Sequence, residues 1–284
     1  MTVGEVLRRS TAFLSDREVE TPRLDAELLL AKALGRSRLE LYLEHDRPLV
    51  ERELEACREL VARRGRREPA AYILGEWGFR RLTLGIDSRA LVPRPETEAV
   101  VERCLALLAE TSEPRVLDVG TGSGAIALAL ADELPDARVT ALDCSADALV
   151  LASENARRTG LADRVRFVEG DFREGLGNGT YDLVVSNPPY VGEDEYGGLQ
   201  AEIREWEPRG ALVGGLDEAA TIAAGSRAVL KTGGQLVLET TARLAGQLTE
   251  TLAGQGFADI ATSRDLAGAT RVIEARVVES CPTS

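Results

Sequence analysis

Between Arg115 and Ser186, four short apolar runs alternate with longer helical stretches, and this rhythm constrains the fold more than any other feature of the chain. The runs at Arg115 to Val119, Arg138 to Leu142, Val165 to Val168 and Tyr181 to Ser186 read as buried strands. Ala125 to Leu134 and Ala146 to about Arg158 carry helical spacing between them. Such alternation predicts an α/β fold with a doubly wound, mostly parallel sheet. Three further strands, at Gln235 to Glu239, near Phe257 to Thr262 and at Thr270 to Val278, bring the expected number to seven. The last two have no helix between them, so an antiparallel insertion is expected and the sheet is mixed.

Ligands bind in doubly wound sheets outside the carboxyl ends of the strands. The four runs end at Gly120, Asp143, Asp171 and Asn187, all able to contact a ligand. The first opens a glycine-rich turn, Gly120-Thr121-Gly122-Ser123-Gly124, where glycine allows a sharp bend and a close backbone approach. Gly120, Gly122 and Ala125 also satisfy the dinucleotide fingerprint, so an NAD-dependent oxidoreductase is one reading. A carboxylate at Asp143, about 20 residues on, would accept ribose hydroxyls of either kind of nucleoside cofactor. Asp171-Phe172 would hold an adenine, the carboxylate on its amine and the ring against the base; a turn is the plainer reading of such an Asp.

The fourth run ends in Ser186-Asn187-Pro188-Pro189-Tyr190. Proline has no N–H and a fixed φ, so its carbonyl points in a set direction without a competing donor. Asn187, preceding proline, is held extended. The Asn187 side-chain oxygen, the Pro188 carbonyl and the face of Tyr190 together suit a planar group bearing an NH2. As an isolated motif Asn-Pro-Pro is a turn signal; its place at a strand end favours a site.

Upstream, Leu91 to Glu98 reads Leu-Val-Pro-Arg-Pro-Glu-Thr-Glu, a stiff loop entering a helix. Arg94, Pro95, Thr97 and Glu98 are candidate pocket-lining residues, although carboxylates at a helix start also serve the helix dipole. Residues 1–70 show helical periodicity with start signals at Thr21-Pro22 and Ser37 to Glu40, predicting a bundle of four or five short helices. Residues 71–93 alternate at Leu82, Leu84 and Ile86 and predict a β-hairpin linker, leaving 94–284 as the ligand-binding domain. Val191 to Gly215 is glycine-rich and acidic and reads as a mobile lid.

Net charge is −13, which argues against direct binding of free nucleic acid through phosphates. The cationic run Arg63 to Arg67 is either a docking patch or a solvated helix end. Cys57, Cys104, Cys144 and Cys281 form no C-x-x-C pair, and His45 is the sole histidine, so no metal site is expected. No apolar run reaches the roughly 20 residues of a membrane span, and Met1 to Leu14 carries charges that a signal peptide would lack. A cytoplasmic protein is expected.

The glycine turn, Asp143, Asp171-Phe172 and the Asn-Pro-Pro-Tyr strand end resemble the class I methyltransferases that use S-adenosylmethionine and methylate planar nitrogens. With Pro-Arg-Pro-Glu-Thr-Glu and the helical front domain, nearly the whole chain resembles the release factor glutamine methyltransferases of the HemK/PrmC family. That resemblance implies S-adenosylmethionine as cofactor and S-adenosylhomocysteine as product. It implies that Gly120 to Gly124 cradle the methionine part, Asp143 binds ribose, and Asp171 and Phe172 lie by the adenine. Asn187 then borders the cofactor and, with Pro188, Pro189 and Tyr190, holds the substrate amide; Asn187, Pro188 and Tyr190 are the catalytic candidates. The implied substrate is the glutamine of the Gly-Gly-Gln motif of peptide-chain release factors, docked partly by the helical domain onto a monomeric enzyme. The same cofactor chemistry on adenine, a ribosomal-protein glutamine, or a small guanidine or amide is the alternative. Where that family often has Glu-Ile-Gly after its fifth strand, this chain has Glu239-Thr240-Thr241.

Overall fold

The computed structural model describes residues 1–265 and 267–278; Cys281 lies outside them. The chain opens with helices α1 (Val3–Ser15), α2 (Pro22–Leu34), α3 (Arg38–Leu43), α4 (Glu51–Gly65) and α5 (Ala70–Leu74). Strands β1 (Glu76–Phe79) and β2 (Leu82–Gly85) pair as a two-stranded sheet. There follow α6 (Thr97–Leu108), β3 (Arg115–Val119), α7 (Ala125–Glu133), β4 (Arg138–Asp143), α8 (Ala146–Arg158), β5 (Val165–Glu169) and β6 (Tyr181–Ser186). The remainder holds α9 (Glu193–Tyr196), α10 (Ala201–Trp206), α11 (Leu216–Val229), β7 (Leu230–Glu239), α12 (Ala242–Gly254), β8 (Phe257–Arg264) and β9 (Thr270–Val277). Two compact units result: Met1–Glu76 with Leu199–Trp206, and Trp77–Gly198 with Glu207–Ser284.

The first unit is organised by helix-start chemistry and by ion pairs. Thr2 and Ser37 each close a capping box, with Glu5 and Glu40, at the starts of α1 and α3. α2 departs from the simple apolar stripe. Leu24 is exposed, whereas Asp25 and Glu27 are buried, 4% and 2% exposed, beside Leu29 and Leu30. Buried carboxylates persist only when paired. Glu27 accepts from Arg23, Arg38 and Tyr42, and Asp25 accepts from Arg64 Nε at 2.6 Å. Arg64 also donates through Nη2 to Glu202 of α10 at 2.7 Å, and Arg67 donates through Nε to the same carboxylate at 2.9 Å. Within the run Arg63 to Arg67, Arg64 is buried and Arg63 pairs with Glu68, whereas Arg66 is exposed at the end of α4. Val191 to Gly215, expected as a lid, contains α9 and α10, and Leu199–Trp206 belongs to the helical unit, where Glu202 pairs with Arg64.

The second unit carries a seven-stranded sheet in the order β5-β4-β3-β6-β7-β9-β8. β3 to β7 pair in parallel, and β9 pairs antiparallel with both β7 and β8, the mixed arrangement expected for a chain ending in two consecutive strands. Side chains alternate across the sheet. Leu117, Val119, Val184, Leu236, Leu238 and Ile273 share one core with Ile222 of α11 and Leu248 of α12. Val116, Leu183, Val185 and Val237 turn to the other face, where α6 contacts β6, β7 and α7. β7 begins earlier than the sequence pattern predicts. Leu230 pairs with Tyr181 and Gln235 with Leu183, so Lys231 to Gly234 bulge opposite Asp182, to which Lys231 Nζ donates at 2.6 Å.

Candidate active site

Sheet register places the candidate residues in one row. Leu238 pairs with Ser186, Ser186 with Val119, Val119 with Leu142, and Asp143 with Glu169. The residues just beyond these pairs, Glu239, Asn187, Gly120, Asp143 and Gly170, therefore line the carboxyl edge across five strands. At the usual strand spacing this row spans roughly 19 Å. Backbone bonds stitch it together: Gly120 N and Thr121 N donate to Leu142 O at 2.8 and 3.0 Å, and Gly170 N donates to Asp143 O at 3.0 Å.

One half of the row is a backbone cradle. Gly120, Gly122 and Gly124 have φ of 73°, 56° and 83°, the left-handed region that only glycine enters at little cost. A Cβ on Gly120 would meet nothing within 4 Å, so its backbone faces open space; one on Gly124 would press on Leu128 and Ala152 at 3.1 and 3.2 Å. Asp143 holds the turn, accepting from Gly122 N through Oδ2 at 2.8 Å and from Ser145 N through Oδ1 at 2.9 Å. Two residues that the sequence reading did not single out support the same turn. Asp118 is fully buried and accepts from Thr121 Oγ1 at 2.7 Å and Ala127 N at 3.1 Å; burial pushes its carboxyl up to about 7. Asn155 donates to Ser123 O at 2.9 Å and to Gly85 O at 3.0 Å, fastening β2 to the turn. A charged residue inside an apolar strand and a buried amide on α8 were the available signals.

At the far end of this half, Asp171 Oδ1 accepts from Arg173 N at 2.9 Å and starts a 3-10 turn. The half-buried Phe172 ring packs on the sheet core, with the Arg173 guanidinium 4.7 Å over its face. Asp171 is thus a turn former, one residue beyond Gly170, whose N–H donates to Asp143 O.

The other half is a side-chain network. Asn187 is half-buried, and its Nδ2 donates to Thr97 Oγ1 at 3.4 Å. Thr97 Oγ1 donates to Glu239 Oε2 at 2.6 Å, and the Tyr190 hydroxyl donates to Glu239 Oε1 at 3.3 Å. Glu239 is 2% exposed. Burial raises its carboxyl to about 7, against the lowering effect of the Thr97 and Tyr190 hydrogen bonds and of Arg271; Glu96 raises it further. Burial, then the charge of Glu239, raises the Tyr190 phenol above its ordinary range. Pro188 is buried; Pro189 is half-buried and backed by Gly214, where a Cβ would lie 2.6 Å from Pro189 O. Val191 N donates to Leu212 O and Gly214 N to Val191 O, holding that contact in place.

The loop before α6 contributes unequally. Thr97 joins the ledge network. Arg94 Nη2 donates to the buried carboxylate of Glu207 at 2.7 Å. Glu98 instead turns to the hairpin, where Oε1 accepts from Arg80 N at 3.0 Å, and Pro95 O accepts from Glu98 N in the turn into α6. Among the described residues no group of histidine, cysteine and carboxylate side chains is placed to hold a metal ion.

A family described as PrmC N-terminal domain matches residues 5–75, and one described as methyltransferase small domain matches residues 100–202. Release factor glutamine methyltransferase of Chlorobaculum tepidum is 46% identical over 242 residues, 81% of this chain and 82% of that protein. The Geobacter sulfurreducens protein of the same name is 42% identical over 279 residues, 97% of each chain. The chain belongs to the release factor glutamine methyltransferase family. Its fold is that of class I methyltransferases. A SAM-dependent O-methyltransferase from Thermotoga maritima superposes with a TM-score of 0.51 at 18% identity, covering 69% of each chain. Human methyltransferase 10 domain containing protein superposes with 0.53 at 19% identity, covering 69% of this chain and 89% of that one.

Proposed function

We propose that this protein transfers a methyl group from S-adenosylmethionine to the side-chain amide nitrogen of the glutamine in the Gly-Gly-Gln motif of peptide-chain release factors, releasing S-adenosylhomocysteine and the amide proton that the methyl group replaces. The observation that carries this reading, in a chain of this family, is the Asn187 carboxamide. It is held at the strand end beside the glycine turn, with its NH2 on Thr97 and its oxygen on the opposite side.

The residues present fit the cofactor. The open backbone at Gly120 and the turn to Gly124 would take its methionine part, Asp143 its ribose hydroxyls, and Asp171 and Phe172 its adenine. When bound, S-adenosylmethionine supplies a methyl group made electrophilic by a positively charged sulfur. The chain's own residues deal with the nucleophile. An amide nitrogen is a poor one, because its lone pair is delocalised into the carbonyl. As that nitrogen begins to bond, it becomes more positive and its N–H groups more acidic. Acceptors at Asn187 Oδ1 and Pro188 O therefore hold it more tightly in the transition state than in the ground state, which is the condition for lowering the barrier. Tyr190 and Pro189 flank the amide, and fixing its orientation supplies a further part of the acceleration.

The net charge of −13 favours a protein acceptor over free nucleic acid, and a release factor substrate places the reaction in the cytoplasm, with the enzyme acting as a monomer. A dinucleotide-dependent reaction would use the glycine turn and Asp143 but leave the Asn187, Thr97 and Glu239 chain without a role. Mass spectrometry of a release factor after incubation with the full chain and S-adenosylmethionine should find one added methyl on the glutamine of its Gly-Gly-Gln peptide. An unmodified peptide under conditions where the cofactor binds would overturn the substrate assignment.

A further inference from the structure

A primary carboxamide has two ends of nearly equal shape and opposite polarity, an acceptor oxygen and a donor NH2. The reading of Asn187 as an acceptor for a substrate amide, on which this inference rests, requires the oxygen to face the substrate. The Asn187 backbone cannot choose between the two orientations, because a half-turn about the last side-chain bond exchanges them with little change in packing. The choice has to come from whatever touches the inner end of the group.

That partner is the Thr97 hydroxyl, which by itself is also ambivalent, since a hydroxyl both donates and accepts. It has only one proton, however, and the structure shows where that proton goes: Thr97 Oγ1 lies 2.6 Å from Glu239 Oε2. The second carboxylate oxygen of Glu239 is engaged by the Tyr190 hydroxyl at 3.3 Å, so both oxygens act as acceptors. Having given its proton to the carboxylate, Thr97 can only accept from Asn187, and the group 3.4 Å away is Nδ2. Polarity thus passes along a chain of three side chains from helix α6, the residue that follows strand β6, and strand β7. Arg271 stands near Glu239 but is committed elsewhere, with Nε on Asp265 at 2.9 Å and Nη2 3.7 Å from Glu96. The carboxylate is 2% exposed with no cation in direct contact among the described residues, an arrangement that ordinary stability does not favour.

We propose that Glu239 is a positioning residue that, acting through Thr97, fixes the direction of the Asn187 carboxamide and so presents its oxygen, not its NH2, to the substrate amide. Glu239 itself touches neither substrate nor cofactor. Without its acceptor oxygen, the Thr97 proton is released to Asn187, and the carboxamide turns its NH2 toward a substrate group that is itself a donor.

The test follows the Asn187 side-chain NH2 in the full chain labelled with 15N asparagine, its signals identified by their loss in Asn187→Ala. No substrate is needed, so this measurement stands whether or not a release factor is the acceptor. Spectra are compared at about pH 8, above the value of about 7 to which burial raises the Glu239 carboxyl, so that it is mostly ionised. The Asn187 signals should move in Glu239→Leu and in Thr97→Val, which keeps the shape of threonine and removes only the hydroxyl. They should return to the wild-type position in Thr97→Ser. In the methylation assay kcat should fall about tenfold or more in Glu239→Leu and Thr97→Val, the scale of one or two lost hydrogen bonds, while the Kd for S-adenosylmethionine stays within about twofold. Asn187 signals that hold their wild-type position in a folded Thr97→Val overturn the proposal, as does a kcat loss in which the signals never move. Failure of the wild-type enzyme to methylate any release factor removes the substrate reading, and the amide spectra still decide whether Glu239 sets the direction of Asn187.

Discussion

The two halves of the sheet's carboxyl edge are built by different physics. The glycine half, from Gly120 to Asp171, is made of backbone, with left-handed φ values, N–H groups turned to Asp143, and a strand end at every step. The ledge half, from Asn187 to Glu239, is made of side chains held by other side chains from distant parts of the chain. The first suits a ligand of constant shape, which only a fixed surface need recognise. The second suits a reacting group whose charge changes, because polarity there is set by a network with a chosen direction. Each half also rests on one buried acid, Asp118 under the glycine turn and Glu239 behind the ledge.

The sharpest way to break this division is to cut each half alone and ask which constant moves. Asn187→Ala should lower kcat by about 10² to 10³, the cost of removing one preorganised transition-state hydrogen bond, with the Kd for S-adenosylmethionine, measured by calorimetry, near wild type. If turnover survives, or if cofactor affinity falls in parallel, the ledge is not a separate substrate-side device. Asp143→Ala should do the reverse. Two hydrogen bonds from ribose hydroxyls to a carboxylate, at about 1.5 kcal/mol each, correspond to roughly a 100-fold weaker cofactor Kd. Asp143 also holds Gly122 N and Ser145 N, so the glycine turn loosens with it. At saturating cofactor kcat should recover, and a kcat that stays low would show that the two halves work as one.

The same contrast explains what the sequence could reveal. The glycine half was legible because its signals are local: a run of apolar residues, then Gly-x-Gly-x-Gly or Asp, each at the end of its own strand. The antiparallel finish was legible too, from two strands with no helix between them. In the ledge half the Asn-Pro-Pro-Tyr motif was visible, and Thr97 only as one of four candidates on the loop before α6. Thr97 and Asn187 are 90 positions apart and Thr97 and Glu239 are 142 apart, and no local pattern announces that they meet. Glu239 appeared as the end of an apolar strand and the start of Glu239-Thr240-Thr241, with nothing to tie it to Asn187. The assignment of Leu199–Trp206 to the helical unit was hidden for the same reason, since Glu202 meets Arg64 across 138 positions. Asp25 and Glu27 on the buried side of α2 contradict a simple apolar stripe because ion pairing, not hydrophobicity, decides their burial.

The smallest expected effect tests the buried acid behind the ledge by stability instead of turnover. Burial raises the Glu239 carboxyl from 4.5 to about 7, so between those values the folded protein binds a proton that the unfolded chain releases. Stability falls with pH wherever the native state holds more protons than the unfolded state. The Glu239 contribution is therefore complete below about 4.5 and is lost as pH rises through about 7. Asp118, also raised to about 7, adds a loss of the same sign. Urea unfolding of the cofactor-free protein should show lower stability at about pH 8 than at about pH 5, and Glu239→Gln should remove about 2 kcal/mol of that difference, the order of magnitude set by 1.36 kcal/mol per pKa unit. A pH dependence identical in wild type and Glu239→Gln would mean that the carboxyl titrates as it does in the unfolded chain. The ledge would then rest on an ordinary ionised carboxylate, and only the glycine half, through Asp118, would keep a buried acid that titrates differently from the unfolded chain.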